Sequence, residues 1–348
     1  MAALPILTTK LNLPDPRKLI ARARLHRQMD ESLYARLTLI AAPAGYGKTT
    51  LLSGWLRSQA ELVPRTAWLS LDESDNDPVR FWLYLVSALR IVIPEIGEAT
   101  LSALNAPQPQ AIEVLLTPLL NDLAAISTDL LLVLDDYHAI QTPRIHDEIT
   151  FLVENLPSQV HLYLTTREIP PLALHRWRAR NQLIEIQARD LRFTTAETAA
   201  FLQLIAGVDL SADDLALLES RTEGWVAGLQ MAALSLESQT DVSTWLRSLS
   251  GDQRYIFDYL SEDIFARQSE HIQQFFMQTC ILERLCAGLC SAILDQPSTV
   301  RESPQATLEA FEKANLFFLP LDDRREWYRY HLLFGETLRR RLQRAYPE

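Results

Sequence analysis

The stretch Ala42-Pro-Ala-Gly-Tyr-Gly47-Lys48-Thr49-Thr50 constrains the fold most. It lies between an apolar run, Arg36–Ala42 (RLTLIAA), and Thr49–Arg57, whose apolar residues fall at 51, 52, 55 and 56. The first reads as a strand and the second as a helix, so the stretch is a strand-to-helix turn. Its residues fit the phosphate-loop pattern G-x-x-x-x-G-K-[ST], with Ala42 in place of the first glycine. Gly45 and Gly47 permit positive φ, so the N–H groups of a loop running through Ala44 and Tyr46 to Thr50 can converge on an anion. The helix that follows begins at its positive end, which favours the same anion. Lys48 would reach the β- and γ-phosphates of a nucleotide, and the Thr49 hydroxyl would bind Mg²⁺. The plain alternative is a turn that happens to contain Gly-Lys-Thr; strand before and helix after weigh against it.

Further strand-like segments follow: Thr66–Leu71, Leu130–Leu134, Val160–Thr165 and Leu183–Ile186. Between them, Asp77-Pro78 opens a helix striped by Phe81, Tyr84, Leu85, Ala88, Leu89 and Val92. A second helix is expected near 111–126, with a bend at Pro118. Strands alternating with helices predict an α/β domain around a mainly parallel sheet. Leu130–Leu134 ends in Asp135-Asp136, so its carboxylates fall at the carboxyl edge of the sheet, where open α/β folds bind ligands. Asp135 would hold Mg²⁺, and Asp136 would orient or deprotonate an attacking water. Acidic turns commonly follow strands, so this pair gains its meaning from the phosphate loop. Val160–Thr165 ends in Thr166-Arg167, and Arg167 would stabilise or sense a γ-phosphate, unless it is simply a surface guanidinium.

After about residue 190 the pattern becomes helical. Thr194-x-x-Glu197 and Ser211-x-x-Asp214 have the form of capping boxes, and Gly207 and Gly224 of helix stops. Phe317–Leu321 and Trp327–Tyr330 flank the polar turn Asp322–Glu326 as a hairpin, followed by a helix over 332–345. Helices then a hairpin suggest a winged helix. The expected fold class is therefore α/β: a P-loop NTPase with a mainly parallel sheet, then an all-α helical domain, then a winged-helix domain. The boundaries are set at 1–192, 193–265 and 266–348.

With 348 residues, 48% apolar and 22% charged, the chain can bury a sizeable core, which excludes disordered and fibrous classes. A net charge of −11 argues against a general nucleic-acid coat. Three cysteines, Cys280, Cys286 and Cys290, are too few for a secreted disulfide framework and point to a reducing cytosol. The opening residues lack a signal-peptide pattern, and no apolar run is long enough to span a bilayer. The cysteines lack metal-site spacing and read as buried thiols. His138 and His146 read as structural hydrogen-bonding groups. The basic end, with Arg324, Arg325, Arg329, Arg339, Arg340, Arg341 and Arg344, reads as a solvated helix face rather than a DNA surface.

Together these motifs resemble the signal-transduction ATPases with numerous domains (the STAND class of P-loop NTPases), nearest to the MalT-like, LuxR-type large ATP-binding transcriptional regulators. The resemblance runs from Thr9-Lys10-Leu11 through Arg22-Ala-Arg24-Leu25 and the phosphate loop, and on to Trp68-Leu-Ser-Leu-Asp72 and Asp75-Asn-Asp-Pro78. It continues through Leu134-Asp-Asp-Tyr-His138, Thr166-Arg167, Leu191-Arg-Phe-Thr194 and Gly224-Trp225 to Tyr330-His331-Leu-Leu-Phe334. The Ala-Pro-Ala-Gly-Tyr-Gly-Lys-Thr-Thr form is itself typical of that family. The resemblance implies three domains around one ATP or ADP with Mg²⁺, an ADP-bound closed resting state, and an ATP-bound open state that self-associates in the cytoplasm. It implies that His331 touches the ADP β-phosphate, and that Arg22 and Arg24 pass near adenine and ribose. For these the alternatives are a core histidine and exposed basic residues at a helix start. Hydrolysis is expected to be slow at most. Effector and DNA contacts are expected only through further domains, for which these residues have no room. The competing classes are a nucleic-acid-stimulated ATPase resembling a helicase loader, and a STAND scaffold of defence or death signalling.

Overall fold

The computed structural model describes residues 6–16, 19–104, 106, 111–236, 242–251, 253–294 and 303–346. The first five residues, read above for a leader, lie outside the described residues. The chain divides into two compact units. One comprises Met1–Ala42 with Lys48–Asp190, the other Pro43–Gly47 with Leu191–Glu348.

The first unit is built on a five-stranded sheet: β1 (Leu37–Ala41), β2 (Thr66–Ser70), β3 (Leu130–Asp135), β4 (Val160–Thr166) and β5 (Leu183–Gln187). The spatial order is β2-β3-β4-β1-β5, and every pairing is parallel. β3 and β4 are buried along their whole length, as their unbroken apolar runs require of strands covered on both faces. One face presents Leu39, Leu132, Leu134, Leu162 and Leu164 to a core shared with the helices Pro78–Val92, Ile112–Ala124 and Pro143–Asn155. On the other, Trp55 of the helix Lys48–Ser58 packs against Tyr163, with ring centroids 5.7 Å apart. The Tyr163 hydroxyl lies 2.7 Å from the Ser32 hydroxyl, and the Trp55 indole donates to Asp30 at 2.8 Å. The Asp77 carboxylate caps Pro78–Val92 by accepting from the Arg80 amide, as Asp-Pro implies. Helix Ile112–Ala124 continues through Pro118.

In the second unit, Thr194 and Glu197 form the reciprocal capping box expected of them. Ser211 and Asp214 complete only half of theirs. Ser211 caps the Asp214 amide, but the Asp214 carboxylate accepts from the hydroxyls of Ser211 and Ser243. Gly207 terminates its helix in the left-handed region. At the next stop the left-handed residue directly after the helix is Glu223, followed by Gly224, where a Cβ would lie 2.7 Å from the Phe193 carbonyl. The hairpin is shorter than its apolar run, β6 (Phe318–Pro320) against β7 (Tyr328–Tyr330), because Phe317 takes φ 55° and leaves extended geometry. Phe276, Phe311, Phe318, Tyr330 and Phe334 form the aromatic core beneath it.

Glu223 ties this unit together. Both of its carboxylate oxygens accept from the Arg329 guanidinium at 2.8 Å, and one also accepts from the Leu332 amide that opens the last helix. Burial would raise its carboxyl, but the Arg329 guanidinium, the nearby His331 and the Leu332 amide outweigh it and hold the carboxyl down at about 2. A carboxyl depressed in the folded state stabilises the fold above its unfolded pKa, here about 4.5, and the gain fades as pH falls toward 2. Glu223→Gln should therefore cost about 3 kcal/mol at neutral pH. In denaturant titrations, its deficit relative to wild type should be constant above pH 4.5 and shrink below it.

Candidate nucleotide site

The first unit contributes a cluster at the carboxyl edge of its sheet. Lys48 begins the helix after the loop, is buried, and donates to the Ala42 carbonyl at 2.8 Å. Burial pulls its ammonium down to about 8; Asp136 and Asp135 oppose the shift, and Arg167 adds to it. Thr49 donates to Asp135 Oδ1 at 2.8 Å, so the two expected Mg²⁺ ligands are already in contact. Asp135, at the end of β3, is 3% exposed, and burial pushes its carboxyl up to about 6. A cation at this point would favour the ionised form.

Asp136 follows in the left-handed region, at φ 58° and ψ 41°. A non-glycine residue held there is strained, and such strain clusters at functional sites. Its amide accepts no freedom to relax, since it donates to the Thr165 hydroxyl at 2.9 Å. That hydroxyl in turn donates to Asp135 Oδ1. Thr165, the penultimate residue of β4, therefore fixes both acids, a role the sequence reading did not assign. The signal was available: a hydroxyl at the end of the strand that sits between β3 and β1. Arg167 follows β4 and is half-buried, near enough to act on Lys48. His138 Nδ1 lies 3.7 Å from Asp136 Oδ1, and His146 Nδ1 pairs with the Tyr137 hydroxyl at 2.9 Å. Arg22 is buried at the start of the helix Ala23–Glu31, and Arg24 is half-buried. Burial of a guanidinium does not suit an exposed helix start.

The second unit holds the loop Pro43–Gly47 itself. Gly45 and Gly47 adopt φ 77° and 76°, the left-handed values a phosphate nest uses. A Cβ on Gly47 would meet nothing within 4 Å, so this part of the loop faces open space. Ala44 and Tyr46 are buried, and Thr50, beyond the loop, is exposed. Burial raises the Tyr46 phenol to about 12, with Arg192 opposing. His331 is fully buried, and burial depresses its imidazole to about 4, so it is neutral near pH 7. Its Nε2 lies 3.1 Å from the Thr222 carbonyl and must donate to it; its Nδ1 is buried with no hydrogen-bond partner among the described residues. Sequence reading also missed Trp225 as a site residue. Its indole N–H donates to the Ala44 carbonyl at 3.1 Å.

Five of the seven arginines at the basic end make contacts within the chain, and Arg324 and Arg340 are exposed. Arg329 pairs with Glu223, Arg325 with Glu312, and Arg339 donates to the Cys280 carbonyl. Arg341 and Arg344 lie over the rings of Phe265 and Phe257. Cys280 and Cys290 are buried thiols and Cys286 is half-buried. No helix among the described residues is long and apolar enough to cross a membrane.

Within the first unit, a buried lysine and a hydroxyl–carboxylate pair at a parallel sheet edge have the donors and acceptors that a Mg²⁺-nucleotide would need. Residues 261–348 match the MalT winged helix domain. The chain is 33% identical over 326 residues to the HTH-type transcriptional regulator MalT of Klebsiella pneumoniae, covering 93% of this chain and 35% of that protein. It is 32% identical over 327 residues to the serine/threonine-protein kinase PknK of Mycobacterium tuberculosis, covering 94% and 29% respectively. The chain thus spans about a third of the length of these curated relatives. Among solved structures, a Walker-type ATPase of Pyrococcus abyssi shares the fold with a TM-score of 0.61 at 15% identity, covering 94% of this chain and 100% of that one. The likeness to the MalT-like regulators read from the motifs thus holds along nearly the whole chain, and its C-terminal segment, residues 261–348, is similar to the MalT winged helix domain.

Proposed function

We propose, from this kinship with the MalT-like regulators, that the chain is their nucleotide-operated switch: closed around ADP at rest, opened by ATP into a self-associating form. The observation that carries the reading is Lys48, a buried ammonium at the base of a positive-φ loop, next to a Thr49–Asp135 pair. Desolvation disfavours the charged form of Lys48, and a phosphate brought beside it would favour that form. In this reading the amides of Ala44 to Thr50 and the Lys48 ammonium bind phosphates, and Thr49 and Asp135 hold Mg²⁺. A bound Mg²⁺-nucleotide would bring phosphate charge to these groups and, as the triphosphate, a hydrolysable bond. Asp136, held in place through Thr165, orients water; Arg167 senses the γ-phosphate; Arg22 and Arg24 line the nucleoside. Hydrolysis is slow, because a switch must hold its state. The parts are the nucleotide-binding domain 1–192, the helical domain 193–265 and the winged-helix domain 266–348, working in the cytoplasm.

Two relatives with different outputs, a transcriptional regulator and a protein kinase, have portions similar to this chain. That supports reading it as the switch rather than the output. The internal pairing of the basic end weighs against a DNA-stimulated ATPase.

His331 is assigned to the ADP-bound state. Since Nε2 donates to Thr222, contact with a phosphate requires Nδ1 to take up a proton, which a neighbouring anion favours. His331→Ala should weaken ADP binding more than ATP binding, and should remove a loss of ADP affinity that wild type shows as pH rises. Equal losses of both nucleotides in calorimetric titrations would contradict the assignment. Lys48→Ala should lower affinity for both at least about a hundredfold, since charge-assisted bonds to phosphate are lost. Retained ATP affinity in that variant would overturn the phosphate-loop reading.

A further inference from the structure

Two carbonyls of the loop are held from one side. The Trp225 indole N–H donates to the carbonyl of Ala44 at 3.1 Å, and the Ala227 amide donates to the carbonyl of Gly45 at 2.9 Å. Ala227 lies in the first turn of the helix Val226–Leu236, where amides have no partner within the helix. The contact is close: a Cβ on Gly45 would come 2.5 Å from the Ala227 Cβ and 2.9 Å from the Trp225 indole nitrogen.

A trans peptide is planar, with its C=O and N–H pointing in opposite directions. Holding the Ala44 carbonyl therefore fixes the direction of the Gly45 N–H. Holding the Gly45 carbonyl fixes the Tyr46 N–H in the same way. These are two of the amides a phosphate loop must aim at its anion. With Gly45 at φ 77°, both peptides could otherwise rotate at little cost.

Trp225 is itself tightly seated. It is fully buried, its amide donates to the Thr222 carbonyl, and a Cβ on Gly228 would lie 2.7 Å from its ring. Its ring meets those of Phe317 and His331 at centroid distances of 5.1 and 5.8 Å. Phe317 also lies 6.3 Å from the ring of Tyr46 in the loop. The first turn of Val226–Leu236 is thus joined to the loop by hydrogen bonds and to the winged-helix histidine by ring packing.

We infer that Trp225 is a positioning residue: with the Ala227 amide, it sets the loop's N–H groups in their anion-binding direction, so the loop's shape depends on the seating of the helix Val226–Leu236. This rests on the phosphate-loop reading and adds its regulation. Withdrawing the helix leaves two carbonyls without donors and releases the peptide planes, so opening of the second unit loosens the phosphates directly.

The test uses the full chain with Mg²⁺ and ADP. Trp225→Phe keeps a ring against Phe317 and His331 but removes the donor. It should release a fluorescent ADP analogue about tenfold faster in stopped flow, as expected for one buried hydrogen bond lost with its acceptor left unpaired. Ala227→Pro, at a first-turn position of the helix, removes the second donor and sets a ring carbon against the Gly45 carbonyl, and should act in the same direction. In ¹⁵N-labelled protein the Trp225 indole signal, identified by its absence from Trp225→Phe, should shift when ADP is added to wild type first stripped of bound nucleotide. It should stay still when ADP is added to Lys48→Ala. Unchanged release in both variants, or an unmoved indole signal in ADP-saturated wild type, overturns the proposal. Wild type that binds ADP no better than Lys48→Ala overturns the phosphate-loop reading, and the proposal with it.

Discussion

The hydrogen bonds from Trp225 and Ala227 to the carbonyls of Ala44 and Gly45 set the terms for the rest of the structure. Pro43–Gly47 packs within the second unit, while the chain on either side of it, at Ala42 and Lys48, packs within the first. The five residues from Pro43 to Gly47 thus take their shape from contacts within that second unit. Glycine at 45 and 47 makes this possible, since no other residue adopts these φ values cheaply. Glycine at 224 and 228 makes it close, by letting the Trp225 turn pack without a Cβ in the way.

Buried charge explains much of the remaining chemistry. Desolvation pulls Lys48 down and Asp135 up, so each ionised form is held at a cost in the isolated protein. Both costs fall when a phosphate and a cation arrive, which makes these groups suited to answer ligand rather than to stabilise the fold. Glu223 is the opposite case. Its carboxylate is satisfied by Arg329 and the Leu332 amide, and its depressed pKa marks a structural pair. His331 stands between, neutral through burial and one proton away from being an anion partner.

The sheet and the loop were legible because their signals are local: unbroken apolar runs, a Gly-Lys-Thr turn, and acids at strand ends. Thr194 and Gly207 also behaved as their residue types imply. What the sequence hid was produced by tertiary contact. The Ser211 box is half-made because Asp214 takes the hydroxyls of Ser211 and Ser243. Phe317 shortens the hairpin by taking a positive φ that no propensity announces. Helices Glu98–Leu104 and Pro143–Asn155 were not read, the second because its apolar stripe lies between strongly strand-like runs. At the site, Lys48, Thr49 and Asp135 lie together as their spacing implied. Thr165 and Trp225 stayed invisible as site residues. Thr165 works through register between neighbouring strands, and Trp225 through a hydrogen bond spanning 181 positions.

The central claim is that one nucleotide holds this chain closed. It is tested most directly by denaturing freshly purified protein and identifying the released nucleotide by chromatography. The account predicts ADP in a one-to-one ratio with the chain. A protein that emerges empty, then binds and rapidly turns over added ATP, would contradict it.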